Sequence, residues 1–171
     1  MGPTSAGKTT LARALSERLR AEGAAPVMHW DGDQVRDMLG DNLSFAPESR
    51  LLVVRSLATM ALASSEAGVL TIVSALTAHD DARQLIRDML PRLLVVYVKC
   101  AVETCMQRDP KGLYAQAAAG EIDTLIGYNS DYTPPQKADL ELDTSSENVD
   151  ACVQKLVDFL GGQGLLPDGQ T

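Results

Sequence analysis

The stretch Gly2-Pro3-Thr4-Ser5-Ala6-Gly7-Lys8-Thr9 is a complete G-x-x-x-x-G-K-[ST] phosphate loop. In such a loop successive backbone N–H groups point inward and cradle phosphate oxygens. The helix that follows aims the positive end of its dipole at the same anion. Lys8 is placed to reach the β- and γ-phosphates of a nucleoside triphosphate, and the Thr9 hydroxyl to sit on Mg²⁺. A phosphate loop joins a strand to a helix. Only Met1 stands in front of this one, so the sequence predicts either a start upstream of Met1 or another segment in the first strand's place. In folds of this kind that strand lies inside the sheet, and without it backbone groups on both sides lose their partners.

The periodicity downstream fits the loop. Leu11, Leu15 and Leu19 recur every four residues and stop at Gly23, which predicts an amphipathic helix over 8–22. Residues 26–30 read as a short strand that runs into the turn Asp31-Gly32-Asp33. A helix over 47–67 ends at Gly68, and 69–76 is a continuous apolar strand of the kind buried on both faces. Then come a helix over 80–90, a strand over 93–99 and a helix over 101–108. A polar Pro/Gly segment spans 109–137, and a strand over 138–142 and a helix over 146–160 close the order. Alternating strands and helices predict an α/β three-layer sandwich with a parallel sheet, its first strand missing or truncated. We expect one domain over 1–160, a lid at about 109–137 and a flexible Gly-rich tail over 161–171.

Bulk properties narrow the function. A chain of 171 residues is long enough for one domain with a real core. A net charge of −8 argues against nucleic acid as a partner, so a phosphate ligand must be drawn by local Lys and Arg. Cys100, Cys105 and Cys152 have neither zinc spacing nor even number, and the histidines are only His29 and His79. Reduced thiols in a cytoplasmic protein are the expectation, without a structural metal. No signal segment and no run of about 18 apolar residues occurs, so no membrane is expected.

Two further groups bear on chemistry. Asp31 and Asp33 end a strand on the same sheet edge as the loop, where ligands of open α/β sheets bind. Phosphoryl transfer needs a metal, an in-line acceptor hydroxyl and a group that positions or deprotonates it, and two carboxylates one Gly apart can share those roles. Arg108-Asp109-Pro110-Lys111-Gly112-Leu113-Tyr114 joins two cations to a Pro/Gly break, which suits a lid closing over phosphates. Arg36, Arg50, Arg55 and Arg83 are further cations for an anionic second substrate, and Trp30 reads as core.

In order, the loop, Asp31-Gly32-Asp33-Gln34-Val35-Arg36, Leu43-Ser44-Phe45 with Arg50, the Arg108–Tyr114 segment, Gly120-Glu121-Ile122, Tyr132-Thr133-Pro134-Pro135 and Asp143-Thr144 resemble the adenylylsulfate kinase family. The resemblance covers residues 2 to about 160. It implies transfer of the γ-phosphate of MgATP to the 3′-hydroxyl of adenylyl sulfate. Gly2, Pro3, Thr4, Ser5, Ala6, Gly7, Lys8, Thr9 and Thr10 would hold ATP, with Arg108 and Thr144. Thr9 and Asp31 would hold Mg²⁺, and Asp33 would orient or deprotonate the acceptor hydroxyl. Arg36, Phe45, Arg50, Thr77 and Lys111 would face the acceptor. The resemblance also implies a possible homodimer.

The departures cluster on the acceptor side. Val53-Val54-Arg55-Ser56 stands where the family usually has Asn-Ile-Arg-Arg, and Leu76-Thr77-Ala78-His79 where it has Ile-Ser-Pro-Tyr. Leu125-Ile126-Gly127-Tyr128 replaces Phe-Thr-Gly-Ile, with Tyr128 as the candidate substitute for the lost ring. A base–aromatic stack is worth about 1–3 kcal/mol in nucleic-acid systems, so the acceptor base is held less firmly. Two alternatives follow: a kinase of the same fold acting on another nucleotide-like or sugar-like alcohol, and a non-catalytic nucleotide-binding protein or truncated fragment.

Overall fold

Leu11, Leu15 and Leu19 form the buried stripe of helix α1, Lys8–Ala21. They meet Val153, Leu156, Val157 and Leu160 of α7, Val149–Gly162, in the larger of two apolar clusters. The computed structural model describes all residues except 41, 42, 44, 45, 131 and 168–171. In chain order the elements between these helices are β1 (Val27–Asp31), α2 (Gly32–Leu39), α3 (Pro47–Glu66), β2 (Leu70–Ser74) and α4 (Asp80–Met89). Next come β3 (Val96–Lys99), α5 (Val102–Arg108), α6 (Leu113–Ala118) and β4 (Leu140–Asp143). The α/β alternation and parallel pairing agree with the sequence reading.

Among the described residues all strand pairing is parallel, and it forms two sheets. β1 pairs with β2 in a register that sets Val27 against Leu70 and Asp31 against Ser74. β3 pairs with β4, from Val96 against Leu140 to Lys99 against Asp143. β2 and β3 are not hydrogen bonded to each other. α1 and α7 pack on one side, while Val35 of α2 and Val53 and Leu57 of α3 build a second cluster with Trp30. Trp30 is half-buried against that cluster, in keeping with its reading as core.

Three boundaries differ from the sequence reading, each for a local reason. The Asp31-Gly32-Asp33 turn opens α2, because the Asp31 carboxylate accepts from Asp33 N–H at 3.0 Å and caps the helix. The polar segment 109–137 contains α6, whose Tyr114 and Ala117 are buried in the main cluster. The terminal helix continues to Gly162, and Leu166 is buried at 7% exposure, so order extends past residue 160 because apolar side chains beyond it dock on the core. Strand β2 is also less covered than a strand buried on both faces, with Val73 at 37% exposure.

Candidate active site

The phosphate loop turns on two left-handed residues, Ser5 at φ 61° and Gly7 at φ 89°. Gly7 caps α1 and its carbonyl accepts from Leu11 N–H at 2.9 Å. A left-handed cap is a glycine position because a Cβ is strained there. Gly2 is needed for a different reason: a Cβ there would lie 2.2 Å from the Val98 carbonyl oxygen. Ala6 is fully buried beneath the loop. Lys8 Nζ donates to the Pro3 carbonyl at 2.6 Å, and burial pulls its ammonium down to about 8, against the opposing pull of Asp33.

β1 and β2 deliver the carboxylate site at their carboxyl ends. Asp31 Oδ2 accepts from Thr9 Oγ1 at 2.7 Å and from Ser74 Oγ at 2.6 Å. Burial pushes Asp31 upward, but the bonds from Ser74, Thr9, and the Asp33 and Gln34 N–H groups outweigh it, and its pKa lies below the ordinary 3.8. Ser74 spends its only proton on Asp31, so His29 Nε2, 2.8 Å from Ser74 Oγ, is the donor of that contact. Sequence reading missed Ser74 and His29. The signal was present only in register, since Ser74 stands opposite Asp31.

The Arg108–Tyr114 segment reaches the same carboxylates. Lys111 forms an ion pair with Asp33, both side chains being largely exposed. The Tyr114 hydroxyl donates to the Thr4 carbonyl at 3.1 Å, which ties α6 to the phosphate loop. Arg108 Nη2 donates to the Thr144 carbonyl at 2.5 Å, and the buried Thr144 hydroxyl donates to the Ala6 carbonyl at 2.9 Å. Thr144 therefore links β4 to the underside of the loop.

A cavity of about 1410 Å³ joins these parts. Lys8, Thr9, Thr10, Asp31, Asp33, Arg36, Arg50, Thr77, Arg108, Lys111 and Thr144 all line it. Arg36 reaches the Leu43 carbonyl at 3.5 Å. Arg50 lies 2.9 Å from His79 Nε2, and since a guanidinium only donates, the ring nitrogen accepts there. Thr77 holds a left-handed φ of 45°. Phe45 lies outside the described residues.

Comparison with known proteins places this geometry. The family model described as adenylylsulphate kinase matches residues 1–143. The chain belongs to the adenylylsulphate kinase family. Membership makes it a P-loop phosphotransferase with an alcohol acceptor. It is 38% identical over 165 residues to an adenylyl-sulfate kinase from Halothermothrix orenii, covering 96% of this chain and 89% of that one. Among solved structures it is similar to an APS kinase from Mycobacterium tuberculosis in complex with AMPPNP and APS. The TM-score is 0.87 at 30% identity, and 94% of each chain is covered. A hexameric APS kinase from Thiobacillus denitrificans matches at TM-score 0.72 and 25% identity, over 98% of this chain and 29% of that one.

Three expectations for this family member's acceptor side need correction. Arg83 is 4% exposed and donates to the carbonyls of Thr77, Thr133 and Pro134, so it is a buried tether between the loop after β2 and the segment before β4. Arg55 is exposed on α3 and does not line the cavity. The Tyr128 ring packs edge-on against Tyr114, with centroids 5.8 Å apart, and also lies off the cavity wall. Leu125 and Ile126 line the wall instead.

Proposed function

We propose that this chain transfers the γ-phosphoryl group of MgATP to the 3′-hydroxyl of adenylyl sulfate, giving ADP and 3′-phosphoadenylyl sulfate. One observation carries the reading: the phosphate loop, the Asp31/Asp33 turn and Lys111 of the lid converge in one cavity, with Lys111 paired to Asp33. The transferred group is held by the loop's N–H groups and Lys8, opposite the acceptor. Asp33 accepts the proton of the acceptor hydroxyl as its oxygen bonds to phosphorus and the bond to the ADP oxygen breaks. Lys111 leaves Asp33 for the phosphates when both ligands are present. Arg108, anchored on Thr144, closes the nucleotide end.

The Thr9 hydroxyl and Asp31 carboxylate, already 2.7 Å apart, are the hard oxygen donors a Mg²⁺ ion takes. When bound, that ion neutralises charge on the β- and γ-phosphates. Arg36, Arg50 and Thr77 form the acceptor wall, with Phe45 assigned to it from the sequence. Val53 in place of the family's Asn makes this wall more apolar, and Leu125 in place of Phe removes a ring from it. That favours, as a second reading, a weakly held adenylyl sulfate or another nucleotide-like alcohol. Among the described residues no helix is long and apolar enough to cross a membrane. We place the enzyme in the cytoplasm, as a homodimer working on small-molecule substrates alone. A coupled ADP-release assay tests the main reading. Adenylyl sulfate should raise ADP release well above the ATP-only rate, and Lys8→Ala should abolish the increase. A rise with other nucleotide alcohols but not adenylyl sulfate would favour the second reading.

A further inference from the structure

His29 and Asp31 lie two residues apart on β1, so both side chains leave the same face of the strand. Ser74 of β2 stands opposite Asp31 in the register, and its hydroxyl sits between the two. His29 Nε2 is 2.8 Å from Ser74 Oγ, and Ser74 Oγ is 2.6 Å from Asp31 Oδ2. The same Oδ2 is 2.7 Å from Thr9 Oγ1. Ser74 and Asp31 are buried, and they line the cavity with Thr9. His29 stands behind them, half-buried and off the cavity wall. It meets the carboxylate site through Ser74.

Each hydrogen in this chain has one place. A carboxylate accepts and cannot donate, so the single proton of the Ser74 hydroxyl lies on the Asp31 side. Nε2 of His29 then carries hydrogen and donates to Ser74 Oγ. A serine hydroxyl left to itself rotates to suit its surroundings. With an imidazole N–H on its lone pair, the Ser74 proton is directed at the carboxylate. A hydroxyl that accepts and donates at once is also polarised, so each bond strengthens the other. The second oxygen, Asp31 Oδ1, is held separately by Asp33 N–H at 3.0 Å. The carboxylate is thereby fixed at both ends.

We propose that His29 is a positioning residue of the carboxylate site: by donating to Ser74 Oγ it orients that hydroxyl, and through it fixes the rotamer of Asp31 before an ion or a nucleotide binds. The proposal rests on the reading of Thr9 and Asp31 as the oxygen donors for Mg²⁺. Partners that orient such donors in advance raise the affinity for the ion. Because the ring lies outside the cavity, its effect falls on metal-dependent binding and not on the nucleotide itself.

The test needs no turnover. Nitrogen NMR of the His29 ring in the free protein, with signals assigned by their loss in His29→Gln, should show hydrogen on Nε2. A bare Nε2 overturns the proposal, because Ser74 would then donate to the ring and not to Asp31. Calorimetry of ATP binding at stepped free Mg²⁺ gives the Mg²⁺ concentration for half of the metal's effect. His29→Phe should raise that concentration by about threefold or more. Its ATP affinity without metal should stay within about twofold of wild type. His29→Gln, whose amide N–H₂ stands where Nε2 stands, should keep the Mg²⁺ requirement within about twofold. His29→Phe joined to Ser74→Ala should raise the requirement no further than Ser74→Ala alone, since the ring acts through that hydroxyl. Equal losses with and without metal, no rescue by Gln, or additive effects of the two substitutions overturn the proposal. A wild-type chain whose ATP binding depends on Mg²⁺, with His29→Phe unmoved, overturns the role of His29 alone. Wild-type ATP binding indifferent to Mg²⁺ overturns the reading of Thr9 and Asp31, and the proposal with it.

Discussion

Ser74 stands opposite Asp31 in the β1–β2 register, and its hydroxyl donates to Asp31 Oδ2 at 2.6 Å. Thr9 of the phosphate loop donates to the same oxygen at 2.7 Å, so one carboxylate oxygen joins β1, β2 and the loop. A carboxylate held below its ordinary 3.8 adds stability that is present above that value and fades as pH falls through its folded-state pKa. Asp31→Asn should cost about 1–3 kcal/mol at neutral pH. In denaturant titrations the gap between the two proteins should shrink as pH falls below 3.8. A gap that stays constant to the lowest pH would show that the charge on Asp31 adds nothing.

Ser74→Ala removes one of the two bonds to that oxygen without touching the loop. We predict a higher Mg²⁺ requirement with little change in ATP affinity at saturating Mg²⁺, because the carboxylate loses its fixed rotamer. Ser74→Thr keeps the hydroxyl and should restore the Mg²⁺ dependence. Activity titrated against free Mg²⁺ reads both.

Lys8 titrates within reach of ordinary buffers, because burial pulls it down to about 8. Phosphates favour its charged form, so MgATP binding should take up a proton when Lys8 is partly neutral. Calorimetry in two buffers of different ionisation enthalpy should show uptake near zero at about pH 6.5 and approaching one proton at about pH 9. ATP affinity should fall across the same interval. Uptake that does not change with pH would show that Lys8 is charged throughout.

How far the sequence carried this account is clearest in particular residues. The loop, the Asp-Gly-Asp turn and the cationic lid are contiguous motifs whose chemistry is local, and all three meet in one cavity. Ser74 and His29 were invisible because they matter only through strand register, which a linear pattern does not fix. Arg83 was misread for a related reason. A helical Arg is usually solvated, but here three carbonyls from distant loops converge on it and keep it buried. α6 hid in a stretch with few large apolar residues because its six residues are too short to show a period.

Arg83→Met should destabilise the fold by about 2–4 kcal/mol, since three carbonyls lose their donor in a buried setting. Chemical denaturation measures this. KM for the acceptor should rise more than KM for ATP, because Thr77 and the segment before β4 lose their common tether. Equal changes in both constants would mean that Arg83 acts on the whole fold alone.

Lys111→Ala removes an exposed pair, its side chains being 54% and 66% exposed, so stability should change by less than about 1 kcal/mol. Turnover should nevertheless fall by at least about tenfold, because the lid cation no longer meets the phosphates. Lys111→Arg should recover part of the rate. Matched losses of stability and turnover would make Lys111 structural.

The most direct measurement follows label from γ-labelled ATP into nucleotide product with adenylyl sulfate as acceptor. The wild-type chain should form labelled 3′-phosphoadenylyl sulfate. Asp33→Asn should slow this by at least about a hundredfold while its ATP dissociation constant stays within about threefold. ATP turnover indifferent to adenylyl sulfate, with no label in a nucleotide other than ATP, would contradict the assignment. Near-normal transfer by Asp33→Asn would contradict the role given to Asp33.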